Sequence, residues 1–375
     1  MAPPSKRSVP DERGGFLRLP SDELYEILLR LPAKDLCRLR AVCRPWRSLL
    51  SDPLFIAAHA ARHPGPLIVA GYHARGSSTL FDIMDVSGRV VKRVRKKGDR
   101  AESEWVISAQ FDVVCIVRGI NRICTLLNPA TGAVSPLPEG YAEEHSAQLQ
   151  DSFCTSRLIA FGQIASTGEY KVLRVLDRFP YQLSEVFTVD GSSHARWRGK
   201  EAPPDHVEFC RWGTVVIDGT VYFLLLEVAL DQGPMRIASF DLGTEHWSAT
   251  LQGPPINSLT EYDDLSLTTL NSCLVVVHCI HTSSMDLWFL MDREKGLWVK
   301  QHSIPLNLNS WHDEFDVHPF LVLNDGRIVS YIGTRGLLRI YDPRTHTYTD
   351  VAEIGHLTEI GLYTGNLLSL ANDAS

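Results

Sequence analysis

The chain has 375 residues, 44% hydrophobic and 22% charged, a composition that fits folded domains: one large and one small. Its net charge of −7 is uneven: residues 1–62 hold 11 Lys/Arg against 7 Asp/Glu (+4), so the remainder is −11, which disfavours nucleic-acid binding by the larger part. Apolar runs such as Leu274–Val277 are strand-sized, far short of the ~20 residues a membrane span needs, and residues 1–18 lack an apolar h-region, so neither a membrane anchor nor a secretory signal is expected.

Residues 1–15 read as a disordered Pro/Ser/Arg-rich tail, and 16–62 as a small all-α module. Ser21 is a suitable N-cap, with Pro20 before it and Asp22, Glu23 and Glu26 in the first turns, where the helix dipole favours negative charge. Leu24, Ile27, Leu28 and Leu31 then fall at i, i+3, i+4 and i+7, one face of a 3.6-residue period. Pro32 stops that helix. Leu36, Leu39, Val42 and Cys43 form a second stripe, and Pro45 opens a third short helix with Trp46, Leu49 and Leu50, which Pro53 is expected to end. Such a short segment cannot bury all these groups by itself, so one apolar side needs a partner.

The order Leu-Pro…Leu-Pro…Val-Cys…Trp over about 40 residues resembles the F-box, the module that docks on the Skp-family adaptor of cullin–RING ubiquitin ligases. The resemblance implies that Leu19, Pro20, Leu24, Ile27, Leu28, Leu31, Pro32, Leu36, Val42, Cys43 and Trp46 are adaptor-binding or mini-core positions. Cys37 and Arg40 depart from it, standing where bulkier apolar or aromatic residues are common.

Residues 66–370 are repetitive, with a short tail at 371–375. An apolar strand, a polar turn opening with Asp, and an aromatic six or seven residues on recur as Asp190/Trp197, Asp241/Trp247, Asp292/Trp298 and Asp342/Tyr348; Asp85 and Asn128 open weaker copies. Hairpin turns centre on Gly219, Ser272 and Gly326, with earlier copies at Gly168, Gly119 and Gly76. Two hairpins every ~50 residues make a four-stranded blade, and six copies of each signal predict an all-β propeller-like domain of about six blades. The period resembles kelch-type propellers, and segments such as Asn128–Gly132, Gly168–Val172 and Tyr341–Thr345 resemble the F-box-associated domain of plant F-box proteins. Leu362–Leu370 is expected to pair with Pro66–Ala70 and close the ring, removing exposed edges.

In such a blade the first–second and third–fourth turns share one face, here tight, while second–third loops and blade-to-blade connections share the other. The connections 139–156, 200–211, 257–264 and 307–318 are long and together hold 13 Asp/Glu against Lys200 and Arg211. Long loops on a rigid scaffold carry recognition, so Arg211, Trp212, Tyr262, Asp263, Asp264, Trp311, Asp313 and Glu314 are the candidate substrate-binding residues, on an acidic, aromatic face suited to a basic protein segment.

No Walker loop, GxGxxG, HExxH or GxSxG is present. The eight cysteines form no CxxC pair and read as reduced thiols; His278 and Cys279 point to opposite faces of a strand, against metal ligation. The basic run Lys92–Lys97 reads as a solvated inter-strand loop, with a nuclear signal or an anion patch as its alternatives. The resemblances imply an intracellular (cytoplasmic and/or nuclear), non-catalytic substrate receptor of an SCF-type ubiquitin ligase without cofactor or metal, binding the adaptor and a protein target. A scaffold that does not promote degradation is the alternative reading, and a propeller enzyme built on an acid pair such as Asp263–Asp264 a weaker one.

Overall fold

The structure is a computed structural model describing the backbone from Ser21 onward, except residues 64, 75–77, 98–103, 111–112, 119–122, 130–131, 150–154, 179, 191–194, 208–211, 226–234, 257–258, 261–262, 282, 307–315, 334, 356–358, 364–367 and 369–375. Two compact units meet at Pro64/Gly65. No described helix is long and apolar enough to cross a membrane.

The first unit holds helices α1 (Ser21–Leu29), α2 (Ala33–Leu39), α3 (Arg44–Leu50) and α4 (Pro53–Arg62). The expected three helices are there, and the third ends before Pro53 as expected, but Pro53 also starts a fourth, unexpected helix. Asp52 is the N-cap, its carboxylate accepting from Leu54 N–H at 2.7 Å. Proline costs nothing in the first helical turn, where its missing N–H has no intrahelical acceptor.

The second unit forms six antiparallel sheets among the described residues, a six-bladed propeller. Blade 1 contains β1 (Leu67–Ala74), β2 (Ser78–Asp85) and β3 (Val90–Lys97). Blade 2 contains β4 (Glu104–Gln110), β5 (Val113–Arg118), β6 (Ile123–Leu127) and β7 (Val134–Pro136), and a short helix, α5 (Glu143–Leu149), lies in the connection that follows. Blade 3 contains β8 (Thr155–Gln163), β9 (Tyr170–Arg178), β10 (Tyr181–Val189) and β11 (Arg198–Lys200). Blade 4 contains β12 (Thr214–Ile217), β13 (Thr220–Leu225), β14 (Arg236–Asp241) and an outer strand in two pieces, β15 (His246–Trp247) and β16 (Leu251–Gln252). Blade 5 contains β17 (Asp264–Leu270), β18 (Cys273–Ile280), β19 (Ser284–Asp292) and β20 (Leu297–Pro305). Blade 6 contains β21 (Val317–Val322), β22 (Ile328–Ile332), β23 (Leu337–Asp342) and β24 (Thr347–Glu353).

The last strand, β25 (Glu359–Tyr363), completes blade 1 by pairing with β1 from Leu67↔Tyr363 to Gly71↔Glu359. Ring closure therefore occurs as expected, but with a strand beginning three residues before the apolar stretch Leu362–Leu370. The basic run Lys92–Lys97 is also not a loop; it belongs to β3, paired with β2.

Local turn chemistry explains the hairpins. Asp218 and Gly219 have φ of 48° and 79°, and Asn271 and Ser272 have 51° and 60°. Two consecutive positive-φ residues give a turn whose twist matches that of the flanking strands. At the third–fourth turns, Asp241, Asp292 and Asp342 each accept a backbone N–H from Thr244, Lys295 and Arg344, respectively. That is why Asp recurs there. The core lies between blades: one cluster joins Cys115, Val117 and Leu126 of blade 2 to Phe161, Val172 and Phe187 of blade 3. Another joins Val275, Val277 and Leu287 of blade 5 to Ile328 and Tyr341 of blade 6.

The recurrent aromatic works across blades. Trp197 Nε1 donates to Pro138 O (2.7 Å), Trp247 Nε1 to Glu201 O (3.1 Å), Trp298 Nε1 to Gln252 O (2.9 Å), and Tyr348 OH to Pro305 O (2.6 Å). Each acceptor lies at or just beyond the end of the preceding blade's outermost strand, at the root of the connection into the aromatic's own blade. Blades 1 and 2 carry valine in the corresponding position, at Val91 and Val134.

Candidate functional site

In the helical unit, Leu28, Leu29, Leu36, Leu50 and Phe55 are buried, and the Tyr25 ring meets Phe55 edge-on at 5.1 Å. The C-terminal end of α1 leaves carbonyls without intrahelical donors. Two histidines satisfy carbonyls at and just past this end: His59 Nε2 of α4 donates to Leu31 O, and His63 Nε2 at the C-cap of α4 to Leu29 O, both at 2.9 Å. Burial pushes the His59 pKa below the ordinary 6.5; the Leu31 carbonyl opposes this and His63 adds to it. Arg40 Nε and Nη2 cap Leu50 O at 3.2 and 2.6 Å, so the arginine at an expected apolar position fastens the end of α3.

This packing separates the adaptor candidates. Leu28 (1% exposed) and Leu36 (0%) fill the interior, so of the two roles the resemblance left open they take the mini-core one. Leu24, Leu31 and Trp46 are half-buried, while Ile27 (45%), Pro32, Val42 (63%) and Cys43 face solvent. Leu19 and Pro20 lie outside the described residues. Sequence reasoning missed Leu54, 77% exposed at the start of α4; the Asp52–Pro53 cap-and-start pair was the signal for it.

On the propeller, Arg211, Tyr262, Trp311, Asp313 and Glu314 lie outside the described residues. Trp212, just before β12, has a φ of 60°, rare for a bulky side chain, and its ring stacks on His318 of β21 at 4.0 Å and 10°. Asp263 is not a freely presented acid. Its Oδ2 accepts from His278 Nε2 (3.1 Å) and Thr260 N (3.2 Å), and its Oδ1 from His281 N (3.3 Å). Burial raises its pKa, but these donors outweigh that and hold it below the usual carboxylate range. Asp264 behaves oppositely. Burial, opposed by Leu265 N–H and reinforced by Asp316 at the end of the next connection, pushes it up to about 6. The carboxylate whose charge acts on Asp264 is thus Asp316, just before β21, rather than its sequence neighbour Asp263. Among the described residues, no group of three or more His, Cys, Asp or Glu is arranged to hold a metal.

The long connections are uneven. Between blades they run 137–154, 201–213, 253–263 and 306–316, but the second–third links of blades 3 and 5 are only 179–180 and 281–283. The connection from blade 2 is bolted down rather than loose. Glu185, fully buried, accepts from Ala142 N (2.9 Å), His145 Nδ1 (3.0 Å) and Arg174 Nε (2.6 Å); Arg174 also donates to Gly140 O and stacks over Trp197 at 3.8 Å. Lys200, one of two bases among the four predicted connections, is bound at 2.6 Å to Glu245, which Lys171 and Arg198 also contact. Burial raises the Glu245 pKa, but the three cations prevail and lower it to about 2.

Comparison with known proteins fits both units. Residues 16–57 match the F-box domain, and residues 88–359 match the F-box associated beta propeller domain, more than half the chain. The chain belongs to the F-box associated beta-propeller family. It is a plant-type F-box protein: the Arabidopsis thaliana F-box protein At3g07870 is 25% identical, covering 92% of this chain and 91% of that protein. The Arabidopsis F-box/kelch-repeat protein At3g23880 is also 25% identical, covering 76% and 79%. A third relative, the Arabidopsis F-box protein CPR1, is 24% identical over 76% of this chain and 73% of its own length.

Proposed function

We propose that this F-box protein is the substrate-recognition subunit of an SCF-type cullin–RING ubiquitin ligase. F-box domains generally dock on the Skp-family adaptor, and F-box plus propeller fits a receptor architecture. The observation that carries the reading is an F-box whose helices enclose Leu28, Leu36, Leu50 and Phe55 yet leave Ile27, Val42 and Leu54 in water. Exposed apolar groups on so small a unit mark a protein contact. The propeller holds the target on its long-connection face, and proximity to the ubiquitin-charged partner raises the effective concentration of target lysines. No residue of this chain need do chemistry.

The carboxyls of that face support a basic target segment. Lys200 is held by Glu245, which it shares with Lys171 and Arg198, while the charge of Asp316 adds to the burial that raises the Asp264 pKa to about 6. A cationic side chain between them would relieve that repulsion. The test is affinity purification of the full chain, wild type against Ile27→Asp/Val42→Asp, read by mass spectrometry. Adaptor and cullin should accompany the wild type and be lost from the variant, with an unchanged melting temperature since both sites are exposed. Equal adaptor recovery from the two would overturn the reading. Co-purified targets whose levels do not rise when cullin activity is blocked would favour the scaffold alternative.

A further inference from the structure

Strand β3 is the outer member of blade 1, so one side of it pairs with β2 and, among the described residues, no strand lies on the other. An outer strand leaves half its N–H and C=O groups pointing away from the sheet, a ready template for another chain. Five of its eight residues are cationic: Lys92, Arg93, Arg95, Lys96 and Lys97. In the register, β2 places an acidic residue opposite one of the five. Arg93 lies opposite Asp82 and grips it by two bonds of 2.6 Å, but Arg95, Lys96 and Lys97 lie opposite Leu80, Thr79 and Ser78, which carry no charge. Arg95 is exposed. The other outer strands differ: β7 and β11 are three residues long, β24 carries Asp350 and Glu353, and β20 has Lys300 as its one cation besides His302.

We propose that the outer edge of β3 is a docking strand for an acidic, extended segment of a partner polypeptide, which adds to blade 1 as a further strand. Main-chain bonds along the free edge supply affinity, and acidic side chains opposite Arg95 and its neighbours supply register and selectivity. Eight residues at about 3.4 Å each give an edge of roughly 27 Å, the length of an ordinary strand. A nucleic acid would meet the same cations but gain nothing from the edge amides, and it would be repelled by a domain carrying −11 overall. A nuclear signal requires a free extended chain, whereas this run is paired along β2.

The test is fluorescence polarisation with the full chain and a labelled ten-residue peptide alternating Glu with Thr or Val. Its comparators are the same peptide N-methylated at alternate residues in either frame, a Lys-for-Glu peptide, and a single-stranded oligonucleotide of equal charge. The acidic peptide should bind, one N-methylated frame should bind at least tenfold more weakly, and Arg95→Glu should lose a similar factor. Equal binding of both N-methylated frames, preference for the oligonucleotide, concentration-dependent self-association through this edge, or no peptide binding would each overturn the proposal. The last result would mean that the cations serve only to keep the edge from pairing. Because the N-methyl comparison leaves the protein unaltered, the conclusion does not depend on the variant folding.

Discussion

The bonds from each blade's aromatic to the preceding blade lend themselves to direct measurement. Tyr348→Phe removes one hydroxyl and leaves the ring, which still packs near Tyr341 at 5.0 Å. It takes one donor from Pro305 O, at a net cost of about 1 kcal/mol. Trp298→Phe removes the indole N–H from Gln252 O together with part of a ring that is 8% exposed, so about 2 kcal/mol is expected, and Trp298→Ala about 3–5 kcal/mol. Unfolding entropy of about 2.1 cal/mol/K per residue gives on the order of 0.65 kcal/mol/K for a unit of this length. The three variants should therefore melt roughly 1.5, 3 and 5–8 °C below wild type by differential scanning calorimetry. If both Phe variants melt within about 0.5 °C of wild type, the bonds contribute nothing and the aromatics are only space-fillers. If Val134→Trp raises the melting temperature, the valine in blade 2 marks a seam left unlatched.

Two further expectations concern protons. His59 prefers to be neutral when folded, so its contribution is complete above the ordinary 6.5 and is lost as pH falls through the lower folded value; urea unfolding of the helical unit, followed by circular dichroism, should show falling stability below about pH 6.5, and His59→Gln should flatten that slope. Asp264, raised to about 6 from 3.8, acts in the opposite sense: folding favours its neutral form, so stability is lost as pH rises from about 4 to 6, and Asp264→Asn should stabilise the propeller on the order of 2 kcal/mol at pH 7.5 and by nothing measurable at pH 4. A pH-independent gain would show that the carboxyl does not titrate in this range.

What was legible in the sequence was local. Asp218-Gly219 and Asn271-Ser272 announce two-residue hairpins because only a few residues accept positive φ, and Asp241, Asp292 and Asp342 announce their turns because a carboxylate can accept the turn's own N–H. Repetition of these signals revealed the blade, and the F-box stripe was visible through its 3.6-residue period. What was not legible depended on distant partners. Ile27 and Leu28 are neighbours on one stripe, and only the packing of the helices on one another decides that Leu28 is covered and Ile27 is not. Asp263 and Asp264 are indistinguishable as letters; strand alternation sends one to His278 and the other toward Asp316, a residue 52 positions away. The aromatic six or seven residues past each Asp was seen, but its acceptor lies 43 to 59 residues upstream, so its role could not be.

That arrangement also explains how one scaffold can support variable recognition. Each of the last four blades clamps the root of its incoming connection through its own aromatic: Pro138, Glu201, Gln252 and Pro305 are the clamped carbonyls. Side-chain networks such as Glu185–Arg174 and Glu245–Lys171 fasten neighbouring segments to the same sheets. A connection held at its root transmits little strain to the blades when its middle changes, because the hydrogen bonds that define the blade are made before the connection departs. Sequence beyond the clamp is then free to differ in length and charge without costing the fold its stability. The same logic predicts an asymmetry: substitutions at the clamped carbonyl positions should be tolerated, since any residue supplies a backbone oxygen, whereas substitutions at Trp197, Trp247, Trp298 or Tyr348 should not. A deep mutational scan read by protein abundance would test this, and equal tolerance at the two sets of positions would refute it.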